Sequence, residues 1–401
     1  MDKRLLVLAL GMFALGTDTF VVAGVLPKIA QSFQVDIGIA GQLTTLYAIA
    51  YALLAPTVAA IAAHVPRKQL MLSGLGIFVL ANLATALAPS FTIALVSRVF
   101  AGLGAAMYAP TATGTGATIV APERRGQAIA IIVAGLTAAT ALGSPIGTVI
   151  GGLSDWRWTM YFVSAIGLAA GLGILSLLHD VPLPPKVALK ARLAPLQDAR
   201  VGWTLLTTFL GMAGNFLVYI YFSVVFDRVL ANAFVFGALL VVWGTSGTVT
   251  NIALARVLDK VSATKLMFVV LVVQAATMAV LPWASAWLWS AALAVAVWGA
   301  TGWGIQGPQQ YRLVTVAPAI APIVLGLNTA ATYLGVTTAG VLGAVGIHLL
   351  GAHQLGFLSV GVFVLAILSS QKAGAAIRRS ASPDVPGNVR PAPPRSAQPA
   401  R

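Results

Sequence analysis

The sequence predicts an all-α polytopic membrane protein, with twelve transmembrane helices in two pseudo-symmetric six-helix halves. Composition is the first reason: 59% of the 401 residues are hydrophobic and 8% are charged, with a mean hydropathy of +0.92. That is too apolar for a water-soluble fold of this length. The second reason is segmentation, because the chain divides into twelve apolar runs of roughly 20 residues, the length a bilayer demands. The third is an internal echo. Gly143, Gly147 and Gly151 share one helix face at four-residue spacing, and Gly335, Ala339 and Gly343 repeat that small-residue face 192 positions on. Duplicated halves with a site between them are a common plan for membrane transporters.

In chain order the spans fall near residues 5–27, 42–63, 70–89, 92–120, 127–152, 157–178, 202–226, 233–255, 265–284, 286–308, 321–346 and 351–370. The first run is longer than a typical signal-peptide core and lacks an evident small-residue cleavage site, so it is expected to stay in the membrane. With both termini cytoplasmic, the inner loops and tails hold twenty of the 24 Lys and Arg. Lys28, Arg157 and Arg228 fall outside and Arg98 lies within span four, a distribution that follows the positive-inside rule. The expected organisation is an N-terminal half over 1–178, a cytoplasmic inter-half loop over 179–201, a C-terminal half over 202–370 and a disordered cytoplasmic tail over 371–401. The loop is marked by Pro182, Pro184 and Pro185, and the tail is rich in Pro, Ala, Ser and Arg. Basic residues there suit anionic lipid. Trp283, Trp287 and Trp289 read as an interfacial belt.

Residues 143–152 read GSPIGTVIGG. The small face lets a neighbouring helix approach to backbone contact, and Pro145 removes one backbone hydrogen bond in the same turn. The segment reads as a close-packed, deformable joint built on Gly143, Pro145, Gly147, Gly151 and Gly152.

Six plus six helices around a central basic loop resemble the major facilitator superfamily over about 370 residues. Residues 16–27 (GTDTFVVAGVLP) resemble the opening signature of its twelve-helix drug:proton antiporter group. Residues 95–105 (LVSRVFAGLGA) resemble that group's Arg-and-Gly motif, with Arg98, Gly102 and Gly104 in the matching places. The span-five stretch resembles the antiporter motif. Its form, followed by Trp156 and Arg157, is most like the branch of arabinose-type sugar efflux permeases and chloramphenicol efflux proteins. The loop between spans two and three departs from the family pattern: it reads AAIAAHVPRK over 59–68, with Ala63 where the family has a gating aspartate. Arg67 and Lys68 survive, and Asp259 with Lys260 stands in the second half, so the resemblance implies a cytoplasmic gate at these four residues.

Nine of the ten acidic residues fall in loops, tails or span ends, and Asp18 alone lies well inside a span. An acid at that depth is costly to keep ionised and usually marks a proton, substrate or charge-pair site. Counting from the expected ends of spans one and four, Asp18 and Arg98 lie about 12 and about 9 Å below the outer boundary. A pair is therefore expected, with Asp18 and Arg98 coupling proton entry to export. A static ion pair is the alternative reading. Tyr108, Asn215, Tyr219, Trp303 and Gln306 stand on helices that line the central cavity in the family and are the candidate substrate wall. Asn215 follows Asp18 by 197 positions, close to the repeat offset.

Other chemistries find no foothold. The chain has no cysteine, so disulfides and thiolate metal sites are excluded. His64, His179, His348 and His353 show no metal-ligand spacing, and no Walker-type run is present. Neither an enzyme nor a nucleic-acid partner is expected. The expectation is a multi-pass, monomeric protein of the bacterial plasma (inner) membrane, driven by a proton gradient in place of any cofactor. Its partners are protons, the bilayer and a small-molecule substrate. It would be a multidrug efflux antiporter exporting chloramphenicol-like drugs and so conferring antibiotic resistance; a sugar or metabolite efflux permease of the same fold is the alternative.

Overall fold

The computed structural model describes residues 2–179, 181, 187–258 and 260–381. Among them every regular element is helical, and twelve helices are long and apolar enough to cross a membrane. In order they are Lys3–Phe33, Ile37–His64, Arg67–Ala86, Phe91–Thr118, Pro122–Leu153, Arg157–Leu177, Ala199–Tyr219, Ala233–Leu254, Ala263–Ala284, Leu288–Val316, Pro318–Leu350 and Ala352–Ser380, numbered here as spans one to twelve. Large apolar side chains such as Leu80, Leu87, Leu293 and Leu349 are largely exposed on the outer faces. A surface of that kind suits lipid and not water.

Several boundaries differ from expectation. Residues 371–381, expected to open a disordered tail, continue the last helix as Leu355–Ala381; residues 382–401 lie outside the described residues. Part of the inter-half segment is also helical, at Leu189–Leu193 and Ala194–Gln197. Arg192 there donates to the Ala59 carbonyl at 3.2 Å, tying the segment to span two. Span ten extends to Val316, eight residues beyond its expected end. Its polar run at 306–311 hid the continuation. Arg312 is consequently buried in a helix, 3% exposed, and Arg98 is not the sole basic residue within a span.

Lipid gives helices no hydrophobic reason to associate, so close backbone approach must hold them. Spans one and five show this most clearly. A Cβ on Gly143 would strike Thr17, one on Gly147 would strike Val21, and one on Gly151 would strike Val25, so the contact repeats every four residues. One π-turn, Ala139–Gly143, precedes Pro145 and absorbs the hydrogen bond that proline cannot make. The expected joint is thus a real irregularity in span five.

Even-numbered crossing returns residue 381 to the end of the bundle that holds residue 2; the opposite end is the far end. The two halves meet along a seam near that far end. Gly38 packs on Ala344 and Gly152 on Ala233. The Gly340 carbonyl accepts from Gln42 Nε2 at 3.4 Å, and the Gly38 carbonyl accepts from Tyr221 Oη at 3.4 Å. Nearer mid-height, Gly244 lies against the backbone of Thr140 and Ala141, and the rings of Tyr51 and Tyr333 are 4.1 Å apart between centroids. Span four packs on its own half, and among the described residues no helix of the second half packs extensively on it. The cross-half contacts named here lie at the far end and near mid-height.

Candidate functional site

Asp18 sits at the middle of span one and is fully buried, and Arg98 on span four is 1% exposed. They form a two-pronged pair, Nη1 to Oδ1 at 2.8 Å and Nη2 to Oδ2 at 2.9 Å. Each carboxylate oxygen thus has its own donor, the geometry that best offsets desolvation of both charges. Asn82 on span three accepts from the same Nη1 at 3.1 Å. Tyr47 on span two faces the guanidinium, 5.0 Å from ring centroid to Cζ, and its hydroxyl meets Thr19 Oγ1 at 3.3 Å. The expected pair therefore exists in this structure, sealed from solvent.

The second half carries an uncharged counterpart. Asn215 Oδ1 accepts from Trp298 Nε1 at 2.7 Å and from Gln274 Nε2 at 3.3 Å, and Gln274 in turn accepts from Thr301. These residues stand on spans seven, nine and ten, matching spans one, three and four. Asn215, Gln274 and Trp298 follow Asp18, Asn82 and Arg98 by 197, 192 and 200 positions. The same three-helix junction is ionic in one half and neutral in the other.

The five expected wall residues part company. Tyr108 is a correction: it is fully buried between spans one and four, its ring over Gly11 and its hydroxyl on the Leu8 carbonyl at 2.9 Å. It is a packing residue within the first half. Asn215, 2% exposed, lies inside the second half. Tyr219 reaches across the seam to the Phe20 carbonyl at 3.2 Å. It belongs to an aromatic cluster with Phe20, Phe216, Trp243 and Trp303. Trp303 and Gln306 alone of the five keep partial exposure. Gln306 donates to Thr332 Oγ1 at 3.1 Å and accepts from Asn328 at 3.3 Å.

Of the expected gate, Arg67 donates to Thr118 at 3.2 Å and Lys68 to the Leu175 carbonyl at 3.0 Å, both within the first half. Lys260 is exposed, and Asp259 lies outside the described residues. Sequence reading missed Asn82, Tyr47, Gln274, Trp298 and Lys28. A signal existed for two of them, since spans three and nine each carry one amide deep in an apolar run. Lys28 gave none: its Nζ donates to the carbonyls of Gly151, Gly152 and Ser154 at 2.8, 2.7 and 2.8 Å, capping the end of span five.

Two six-helix halves, a seam closed at one end and a buried acid–base pair beneath it define a membrane transporter. The chain belongs to the Major Facilitator Superfamily, whose profile matches residues 8–340. It is a transporter and not an enzyme. It is 29% identical over 377 residues to the inner membrane transport protein YdhP of Escherichia coli K12, covering 92% of this chain and 96% of that one. A chloramphenicol resistance protein of Streptomyces lividans is 35% identical over 175 residues, 44% of this chain and 45% of its own. The fold is that of a bacterial homologue of the human lysosomal transporter Spinster, solved inward-facing and unoccupied. The TM-score is 0.70 at 18% identity, over 94% of this chain and 96% of that one.

Proposed function

We propose that this transporter is a proton-coupled antiporter that exports small, mostly neutral drugs of the chloramphenicol kind by alternating access, and so confers antibiotic resistance. The observation that carries the reading is the buried Asp18–Arg98 pair. A carboxylate at this depth must be either neutralised by a proton or matched by a cation. In the arrangement seen it is matched by the Arg98 guanidinium. When Asp18 takes up a proton, Arg98 loses its partner, and the pair becomes an element whose two states can favour different openings. Trp303 and Gln306, on the partly accessible side, are the residues for substrate contact. Arg67, Lys68, Asp259 and Lys260 are proposed to act at the termini-end gate.

With the basic loops inside, the termini end faces the cytoplasm of a bacterium, and the protein works in its inner membrane as a monomer. The gradient stands in place of a cofactor. A sugar or metabolite efflux permease is the second reading, favoured by the form of the span-five motif. Cells that overproduce the protein are expected to retain less chloramphenicol than cells with an empty vector, with arabinose retention unchanged. Reduced arabinose retention with normal chloramphenicol retention would replace the drug reading with the sugar one.

A further inference from the structure

At the far end, spans two and eleven are fastened to each other without any charge. Span two brings Gly38, Gln42 and Thr45 to one face, at steps of four and three residues. Span eleven stands opposite, with Ala344 against Gly38 and Gly340 against Thr45. Tyr221, just before the short helix Phe222–Val225, is fully buried at the same place. A Cβ on Gly41 would strike its hydroxyl and one on Gly343 would strike its ring, so the phenol fills a slot walled by one glycine from each half.

Two donors and two backbone acceptors meet there. Gln42, of the first half, donates Nε2 to the Gly38 carbonyl of its own half at 3.0 Å and across the seam to the Gly340 carbonyl at 3.4 Å. Tyr221, of the second half, donates Oη to the Gly340 carbonyl of its own half at 2.7 Å and lies 3.4 Å from the Gly38 carbonyl across the seam. The amide has a hydrogen for each carbonyl, and the hydroxyl shares its one. Each half thus supplies one donor and one acceptor, and parting the halves costs both donors their cross-seam contact. Among the described residues the ion pairs at this end, Arg157–Asp155 and His353–Asp227, each join residues of a single half. We infer that Gln42 and Tyr221 form an uncharged latch that holds the far end shut, and that its release is a step in opening that end. The gate proposed at the termini end is built of charged residues, whereas this one is neutral. The latch rests on the reading of alternating access and not on proton coupling or on the identity of the substrate.

The chain has no native cysteine, so Thr45→Cys places a single thiol in the seam, at a position 6% exposed and facing Gly340. Its rate of alkylation by N-ethylmaleimide, read on purified full-length protein in lipid nanodiscs, follows the fraction of time that the far end is open. Losing one neutral hydrogen bond shifts such an equilibrium about fivefold. Tyr221→Phe, which keeps the ring and removes the hydroxyl, is expected to speed alkylation by that factor, as is Gln42→Leu. Tyr108→Phe loses a hydroxyl bond inside the first half and is expected to leave the rate unchanged. Alkylation that neither Tyr221→Phe nor Gln42→Leu accelerates overturns the latch. Equal acceleration by Tyr108→Phe also overturns it, because the seam would then be loosening generally. No transport is measured, so failure of the drug or proton reading leaves this result untouched.

Discussion

Asp18 and Arg98 each hold the other's charge in a place where neither could stand alone. Asp18→Asn leaves a buried guanidinium without its carboxylate and is expected to cost about 3–5 kcal/mol of stability. Thermal unfolding in a lipid nanodisc measures that loss. Asp18→Asn with Arg98→Gln rebuilds the neutral arrangement seen around Asn215 and is expected to recover most of the stability while leaving coupling absent. Recovery of coupling in that double variant would show the pair to be structural. The pair was legible in the sequence because charges deep in apolar runs are few, so depth alone made them candidates for each other. Asn82 left its trace as an amide deep in an apolar run, whereas Tyr47 was not legible, since what brings it to Arg98 is the crossing of helices. Tyr108 was misplaced for the same reason: a tyrosine on span four can face a cavity or the next helix, and its own run does not say which.

Span five is the element on which both halves and Lys28 converge. Gly147→Leu would drive a side chain into Val21. It is expected to abolish export and to destabilise the protein by about 1–3 kcal/mol or more through overpacking, while Gly171→Leu, where a Cβ meets nothing, is expected to be near neutral. Lys28→Met removes the cation at the C-terminal end of span five and is expected to cost up to about 2 kcal/mol, read as a lower unfolding temperature. At the start of span seven, Asp198 caps the helix by accepting from the Arg200 backbone N–H at 2.8 Å. Hydrogen bonding to Arg200 holds its carboxyl below the usual carboxylate range. That contribution is present above the unfolded carboxylate pKa and is lost as pH falls through the lowered native value. Asp198→Ala is therefore expected to cost about 1 kcal/mol near neutral pH and less in acid. Span existence was legible from apolar length, whereas span ends were not. Arg312 was assigned to a loop because a polar helical turn and a loop have the same composition.

At the scale of the whole molecule, the two halves are held together across a close-packed seam at the far end. Gly38 and Ala344 are near enough across the seam for a disulfide once the backbones give by a few tenths of an ångström, since a Cβ on Gly38 would lie 3.1 Å from that of Ala344. Gly38→Cys with Ala344→Cys is expected to cross-link under mild oxidation and to stop transport until reduced; free transport by the cross-linked protein would mean that the seam does not open. The duplicated small-residue faces announced two halves, but the seam's geometry depends on which faces meet, and that is settled only by packing. The central claim is that Asp18 couples protons to export. Its most direct measurement is proton release from inside-out vesicles with an acid interior, on addition of chloramphenicol, for wild type and for the Asp18→Asn, Arg98→Gln variant that keeps the fold. Wild type is expected to discharge the gradient and the variant to stay silent while still binding drug. Discharge by both would contradict the account.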